Sequence, residues 1–144
     1  MARLDEKRVE EGKMKSFVIV VGIVKFKDKF LLLKRNAKSY NAANKWEFVS
    51  GYIKEFEPVE DCVLREVKEE TGLDGKIIFQ GEVLEVISED KKWVTFPFLI
   101  EVKESKIKID PKEHSEHTWI GLEEIKNFDC LNGVEKNLKS VKLL

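Results

Sequence analysis

The chain has little of what staples or anchors a fold: its 144 residues include two cysteines, three prolines and two histidines. Cys62 and Cys130 form no metal-type spacing, which leaves them as reduced thiols and points to a cytoplasm. Charge of one sign is also lacking. Against 26 Lys and Arg stand 27 Asp and Glu, a net charge of -1, so no basic surplus exists to wrap a nucleic-acid duplex. No apolar run approaches a membrane span, which excludes a membrane partner. The opening MARLDEKRVEEGKMK is charged throughout, unlike a secretory signal. What remains is 37% charged and 42% hydrophobic, the composition of a globular protein with a dense ionic surface and enough length to bury a core. Neither a repeat nor a linker divides it. The expected organisation is a charged arm over residues 1–15 and a single domain over 16–144.

Within that domain the run FVIVVGIV, Phe17 to Val24, is continuously apolar and β-branched, as in a central strand buried on both faces. Lys27-Asp28-Lys29 interrupts it and Phe30–Leu33 resumes it, which predicts a hairpin. Lys34 and Arg35 close the second strand; a solvated surface is the plainer reading of two cations there, and a polyphosphate contact the alternative. The polar run NAKSYNAANK is a loop, and Trp46-Glu47-Phe48 a short strand. Lys76 to Ser88 is a further β-rich stretch. In Lys92 to Val102, Val94, Phe96, Phe98, Ile100 and Val102 alternate, and Pro97, lacking a donor, predicts an edge position or a bulge. Thr118–Ile120 reads as a strand. Leu122, Ile125 and Phe128, then Val134, Leu138 and Val141, recur at helical spacing as core stripes. The outline is α/β: a mixed sheet with one early helix and one or two late ones, an α/β/α sandwich.

The early helix contains a conflict. At about 100° per residue from Pro58, the apolar Val59, Cys62, Val63 and Val67 share one arc, and Glu66 and Glu70 fall inside it with Glu69 at its edge. A glutamate pushed toward a core without a partner costs several kcal/mol, and like charges one turn apart add to that. A positive species is required there.

The spacing Gly51, Glu57, Arg65-Glu66, Val67, Glu69-Glu70, Gly72 and Leu73 resembles the signature of the Nudix hydrolase superfamily at every constrained position. The resemblance implies a Nudix-type α/β/α sandwich with a mixed β-sheet. It also implies a pyrophosphohydrolase that cleaves a nucleoside diphosphate linked to another group, with Mg²⁺ or Mn²⁺ as cofactor. Hard divalent ions take oxygen ligands, and carboxylates at i and i+4 share one helix face. The resemblance carries metal ligation to Glu66, Glu69, Glu70 and the backbone carbonyl of Ser50, and the orienting or deprotonation of water to Glu66. Arg65 and Glu57 become braces of that geometry. Gly51 is expected to supply a backbone conformation other residues resist. A further carboxylate from a late loop has Glu113 and Glu116 as candidates. The nearby His114 and His117 read as loop histidines rather than as a base.

The chain departs from the family just before the box, where Val49-Ser50 replaces the usual proline and glycine. Among Trp46, Trp93 and Trp119, at most one is expected to stack on a nucleobase; we take Trp46 with Arg35 and Lys34 as substrate-binding candidates. Family members that act on ADP-ribose tend to carry a proline, and those that act on dinucleoside polyphosphates a tyrosine, some way beyond the box in the region where Glu89 and Asp90 stand here. The expected partner is therefore a small-molecule nucleotide, first a nucleoside triphosphate. ADP-ribose or dinucleoside polyphosphate hydrolysis is the alternative, and a non-catalytic nucleotide sensor a third reading. Oligomeric state is open, a homodimer included.

Overall fold

The run that begins at Phe17 lies inside β1 (Lys15–Phe26), and β1 is the spine of the sheet. A computed structural model describes residues 15–88 and 90–144, so the expected arm at 1–15, apart from Lys15 in β1, and the marker position Glu89 lie outside the described residues. Along one edge β1 pairs in parallel with β7 (Lys91–Glu101), from Lys15↔Lys91 to Lys25↔Glu101. On its other edge it meets β4 (Val49–Tyr52) and then β2 (Lys29–Arg35), both antiparallel. The outer side of β2 pairs with β8 (His114–Ile120), and its end with β3 (Trp46–Glu47). Beyond β7 lie β5 (Lys76–Gln80) and β6 (Leu84–Ser88), completing a mixed sheet.

Alternation sorts the core into two layers. Val20 and Val24 of β1, Leu31 and Leu33 of β2, and Phe98 and Ile100 of β7 face α1 (Val59–Thr71), where they pack on Cys62, Val63 and Val67. Val21, Ile23, Phe30, Leu32 and Leu99 face the opposite way, toward α2 (Val134–Ser140) and its Val134 and Leu138. The sandwich is thus α/β/α, with both helical stripes buried as expected. Gly72 ends α1 in the left-handed conformation at φ 78°, its N–H bonded to the Lys68 carbonyl, a termination that favours glycine. Gly22 acts through space instead: a Cβ there would lie 3.2 Å from Val63 and Val67, so its absence lets α1 settle on β1.

Three expectations need correction. Pro97 does not mark an edge, because β7 is flanked by β1 on one side and by β5 and β6 on the other. The carbonyl of Pro97 accepts from Gly81 N–H at 2.8 Å. In a strand a residue's nitrogen and carbonyl face the same side, so the missing donor points at the unpaired link between β5 and β6, where it costs no ladder bond. The Lys76–Ser88 stretch is accordingly two strands, and the Ser140 hydroxyl donates to Glu82 O at 2.7 Å across the break. Leu122–Asn127 forms a 3-10 helix with no residue fully buried, although Leu122, Ile125 and Phe128 still pack against the second layer. Spacing of three and three suits three residues per turn better than the α-helical period. Among the described residues, no helix is long and apolar enough to cross a membrane.

Candidate active site

The site forms where β4 hands the chain to α1. Val49 is buried and pairs with Gly22, and Ser50 pairs with Val21, both in ordinary strand conformation. The replacement of proline and glycine is absorbed as two more strand residues. Gly51 also lies in this ladder, opposite Val20, and its φ is not positive. Its expected conformational role is therefore corrected to a steric one: a Cβ at Gly51 would overlap the Glu66 carboxyl, which rests on the bare Cα.

After Tyr52 the chain loops through Glu57, whose backbone N–H donates to Lys54 O at 3.0 Å while its Oε1 accepts from Lys54 N–H at 3.1 Å. Arg65, nearly two turns into α1, grips Glu57 with a fork, Nε to Oε2 at 2.7 Å and Nη2 to Oε1 at 2.9 Å. That pairing, reinforced by the Lys54 N–H, holds the Glu57 carboxyl down at about 2. The other face of the guanidinium reaches Glu66 Oε1 at 2.8 Å and Glu69 Oε2 at 3.2 Å through Nη1. Arg65 therefore fixes three carboxylates, and its own pKa is pushed further up, chiefly by Glu57 and then by Glu66. Cys62, beside this cluster, is pushed up to about 12 chiefly by burial, so its thiol stays protonated and is no nucleophile.

Glu70 is the least comfortable group. Its residue is 3% exposed, and Oε2 has no hydrogen-bond partner. Burial first, then the nearby Glu66, Glu113 and Glu47, raise its pKa well above the carboxylate range. Glu113, exposed at the end of the preceding loop, is raised as well, by partial burial against the opposing pull of His114. Glu66, Glu70, Glu113, Ser50 and Arg35 line one cleft of about 530 Å³, with Lys54 and Lys112 adding positive charge at its wall. One oxygen each of Glu70 and Glu113 and one nitrogen of His114 lie within 4.8 Å of one another. A buried carboxylate oxygen without a donor, with a second carboxylate facing it, is the arrangement a divalent cation satisfies, so the residues fit such an ion.

Not all of the expected residues converge. Glu69 is held by Arg65 with its side chain 54% exposed and is not part of the cleft lining. Lys34 pairs with Glu116 at 3.2 Å and sits 5.9 Å from the Trp46 ring centre, all three away from that lining. Trp46 packs edge-on against Phe128 at 5.2 Å, Trp93 stacks on Phe17 at 4.7 Å, and Trp119 donates to Ser105 O at 3.0 Å. The aromatics that do line the cleft are Tyr40 and Tyr52.

Sequence reasoning passed over Glu47 and its meeting with Arg35 and His114 in the wall of this cleft. Glu47, 8% exposed, accepts from Arg35 Nη1 at 3.3 Å and meets His114 Nε2 at 2.8 Å; His114 is 2% exposed. The signal was a glutamate between two large aromatics in Trp46-Glu47-Phe48, where a core strand has no use for an unpaired charge. A second cleft of about 200 Å³ opens on the α2 side. It has mostly apolar walls, including Phe48, Leu84 and Val86, together with Asn132 and Asn137, and it shares Glu47 and Ser50 with the first.

A family model described as the NUDIX domain matches residues 16–142. An 8-oxo-dGTP diphosphatase of Buchnera aphidicola is 32% identical over 116 residues, covering 81% of the chain and 85% of that protein. A Caenorhabditis elegans protein named as a nudix hydrolase is 28% identical over 100 residues, 69% of the chain, and the matched region spans only 26% of that longer protein. The crystal structure of a MutT protein from Methanosarcina mazei Go1 superposes with a TM-score of 0.74 at 23% identity, over 90% of the chain and 95% of that structure, a likeness of fold.

Proposed function

The chain belongs to the Nudix hydrolase family, and we propose that it hydrolyses nucleoside triphosphates, oxidised guanine nucleotides included, with Mg²⁺ or Mn²⁺ as cofactor. The observation that carries this reading is the buried, unpartnered oxygen of Glu70 beside Glu66 and Glu113 in a cleft that also has cationic walls. Glu66, Glu70, Glu113 and the Ser50 carbonyl would hold the ion, with Glu69 joining from the rim. Glu113 is favoured over Glu116, whose carboxylate is engaged by Lys34. A bound divalent ion would supply positive charge to the pyrophosphate and lower the pKa of a water.

The protein's own groups do the rest. Glu66, held by Arg65 and resting on Gly51, orients or deprotonates the attacking water. Arg65 and Glu57 keep that carboxylate from swinging away. Arg35, Lys54 and Lys112 offer charge to the outer phosphates. The second cleft, apolar with amide edges and joined to the first through Glu47 and Ser50, suits a nucleobase. The named activity of the Buchnera relative favours a guanine nucleotide among the candidates. Both thiols are free, Cys62 in one core layer and Cys130 against the other, which fits a cytoplasmic location.

The test is product release from a panel of nucleoside triphosphates, ADP-ribose and dinucleoside polyphosphates with and without Mg²⁺. Triphosphates are expected to give the highest turnover, and EDTA to abolish it. Glu66→Gln and Glu70→Gln variants that hydrolyse at the wild-type rate, or a panel with no turnover at all, would overturn the proposal.

A further inference from the structure

His114 opens β8 directly across from Arg35, at a bulge in the β2–β8 ladder. Arg35 Nη1 donates to both Glu47 oxygens, at 3.3 and 3.4 Å, so the carboxylate is the accepting side of its pairs. The imidazole nitrogen facing it, Nε2 at 2.8 Å, is then the protonated one. In the neutral ring this leaves Nδ1 with a bare lone pair, and Nδ1 is buried without any partner, as is Glu70 Oε2. A His114 nitrogen and oxygens of Glu70 and Glu113 lie within 4.8 Å of one another, and His114 Nδ1 and Glu70 Oε2 are the two atoms of that group that are buried without a partner. A carboxylate that fixes an imidazole from behind and frees its other nitrogen is a recurrent support for metal-bound histidine.

We propose that His114 Nδ1 is itself a metal ligand, adding an imidazole to the carboxylates that hold the ion beside Glu70 and Glu113, and that the site therefore prefers Mn²⁺ and similar borderline ions to Mg²⁺. Imidazole suits transition ions, whereas Mg²⁺ favours an all-oxygen shell. Glu47 and Arg35 are positioning residues for the ring. The proposal rests on the reading that the cleft holds a divalent ion, and it assigns that ion a nitrogen donor.

The experiment is electron spin echo envelope modulation on tag-free protein saturated with Mn²⁺ and free of nucleotide. The chain has two histidines, so a directly bound nitrogen is assignable. Directly bound ¹⁴N coupling is expected in wild type and in His117→Gln, and its loss in His114→Gln. By calorimetry His114→Gln should weaken Mn²⁺ binding about tenfold or more, and Mg²⁺ binding less than about threefold. Absence of nitrogen coupling in saturated wild type overturns the proposal, and that spectrum decides even if the variant does not fold. Coupling that survives His114→Gln overturns it as well. Hydrolysis that persists without nitrogen coupling refutes the histidine ligand alone, whereas nitrogen coupling without hydrolysis of any panel substrate refutes the hydrolase reading and upholds the ligand.

Discussion

Glu70→Gln is expected to change stability in opposite directions with and without a divalent ion. In the metal-free protein the carboxyl is almost fully buried, one oxygen is unpartnered, and Glu66 stands close enough to raise its pKa. Glutamine keeps the shape, removes the repelled charge and brings an amide donor to the neighbouring carboxylates. An unsatisfied buried polar group costs about 1–3 kcal/mol. At about 3 °C per kcal/mol for a chain of this length, the variant should melt about 3–9 °C above wild type in EDTA near pH 8.

The pH dependence has a definite sign. The folded pKa of Glu70 is raised, so its contribution to stability is complete below the ordinary value of 4.5 and is lost as pH rises through the folded value. The gap between variant and wild type should therefore narrow as pH falls toward 4.5. An ion at a thousand times its dissociation constant stabilises wild type by about 4.1 kcal/mol and the variant far less, which reverses the order. Thermal melts by circular dichroism, with EDTA and with Mg²⁺ or Mn²⁺, read both signs. A variant that melts below wild type in EDTA near pH 8, or that gains as much from the ion, would refute the reasoning.

Arg65→Lys keeps the charge but loses the fork to Glu57; kcat should fall about 10–100-fold with the circular dichroism spectrum unchanged. Gly51→Ala forces the Glu66 carboxyl off the Gly51 Cα, and calorimetry should show metal binding weakened about tenfold or more while the melting transition stays cooperative. Glu57 has a depressed folded pKa of about 2 against 4.5, so its contribution is present above 4.5 and lost as pH falls toward 2; Glu57→Gln should flatten that acid limb in urea titrations. Gly22→Ala puts a methyl 3.2 Å from Val63 and Val67, and overpacking of this kind costs about 1–3 kcal/mol, measurable as a lower urea midpoint.

The sequence by itself determined what depends on local pattern. The period of apolar residues placed β1, the hairpin to β2, the buried face of α1 and the stripe of α2. The same projection exposed Glu66 and Glu70 on a face meant for the core, and Glu57 and Arg65 followed from the spacing of the box. Those features repeat within a turn or a strand, so a linear reading suffices. The position of β7 was misjudged because Pro97 signals only a missing donor; which side that donor would face depends on the break between β5 and β6, set by Gly81 and Ser140 far along the chain.

Only the tertiary structure decided how the site is assembled. Arg35, Glu47 and His114 come from three strands and meet because the β2–β8 register places Arg35 across from His114 while β3 delivers Glu47 beside them. Trp46 and Lys34, equally plausible as isolated residues, are engaged with Phe128 and Glu116 instead. Gly51 was legible as an invariant need of the box but not as a steric one, since the Glu66 carboxyl that rests on it arrives from the helix. Contacts between residues distant in sequence depend on register and on which side chain reaches first, and neither is written in the period of one segment.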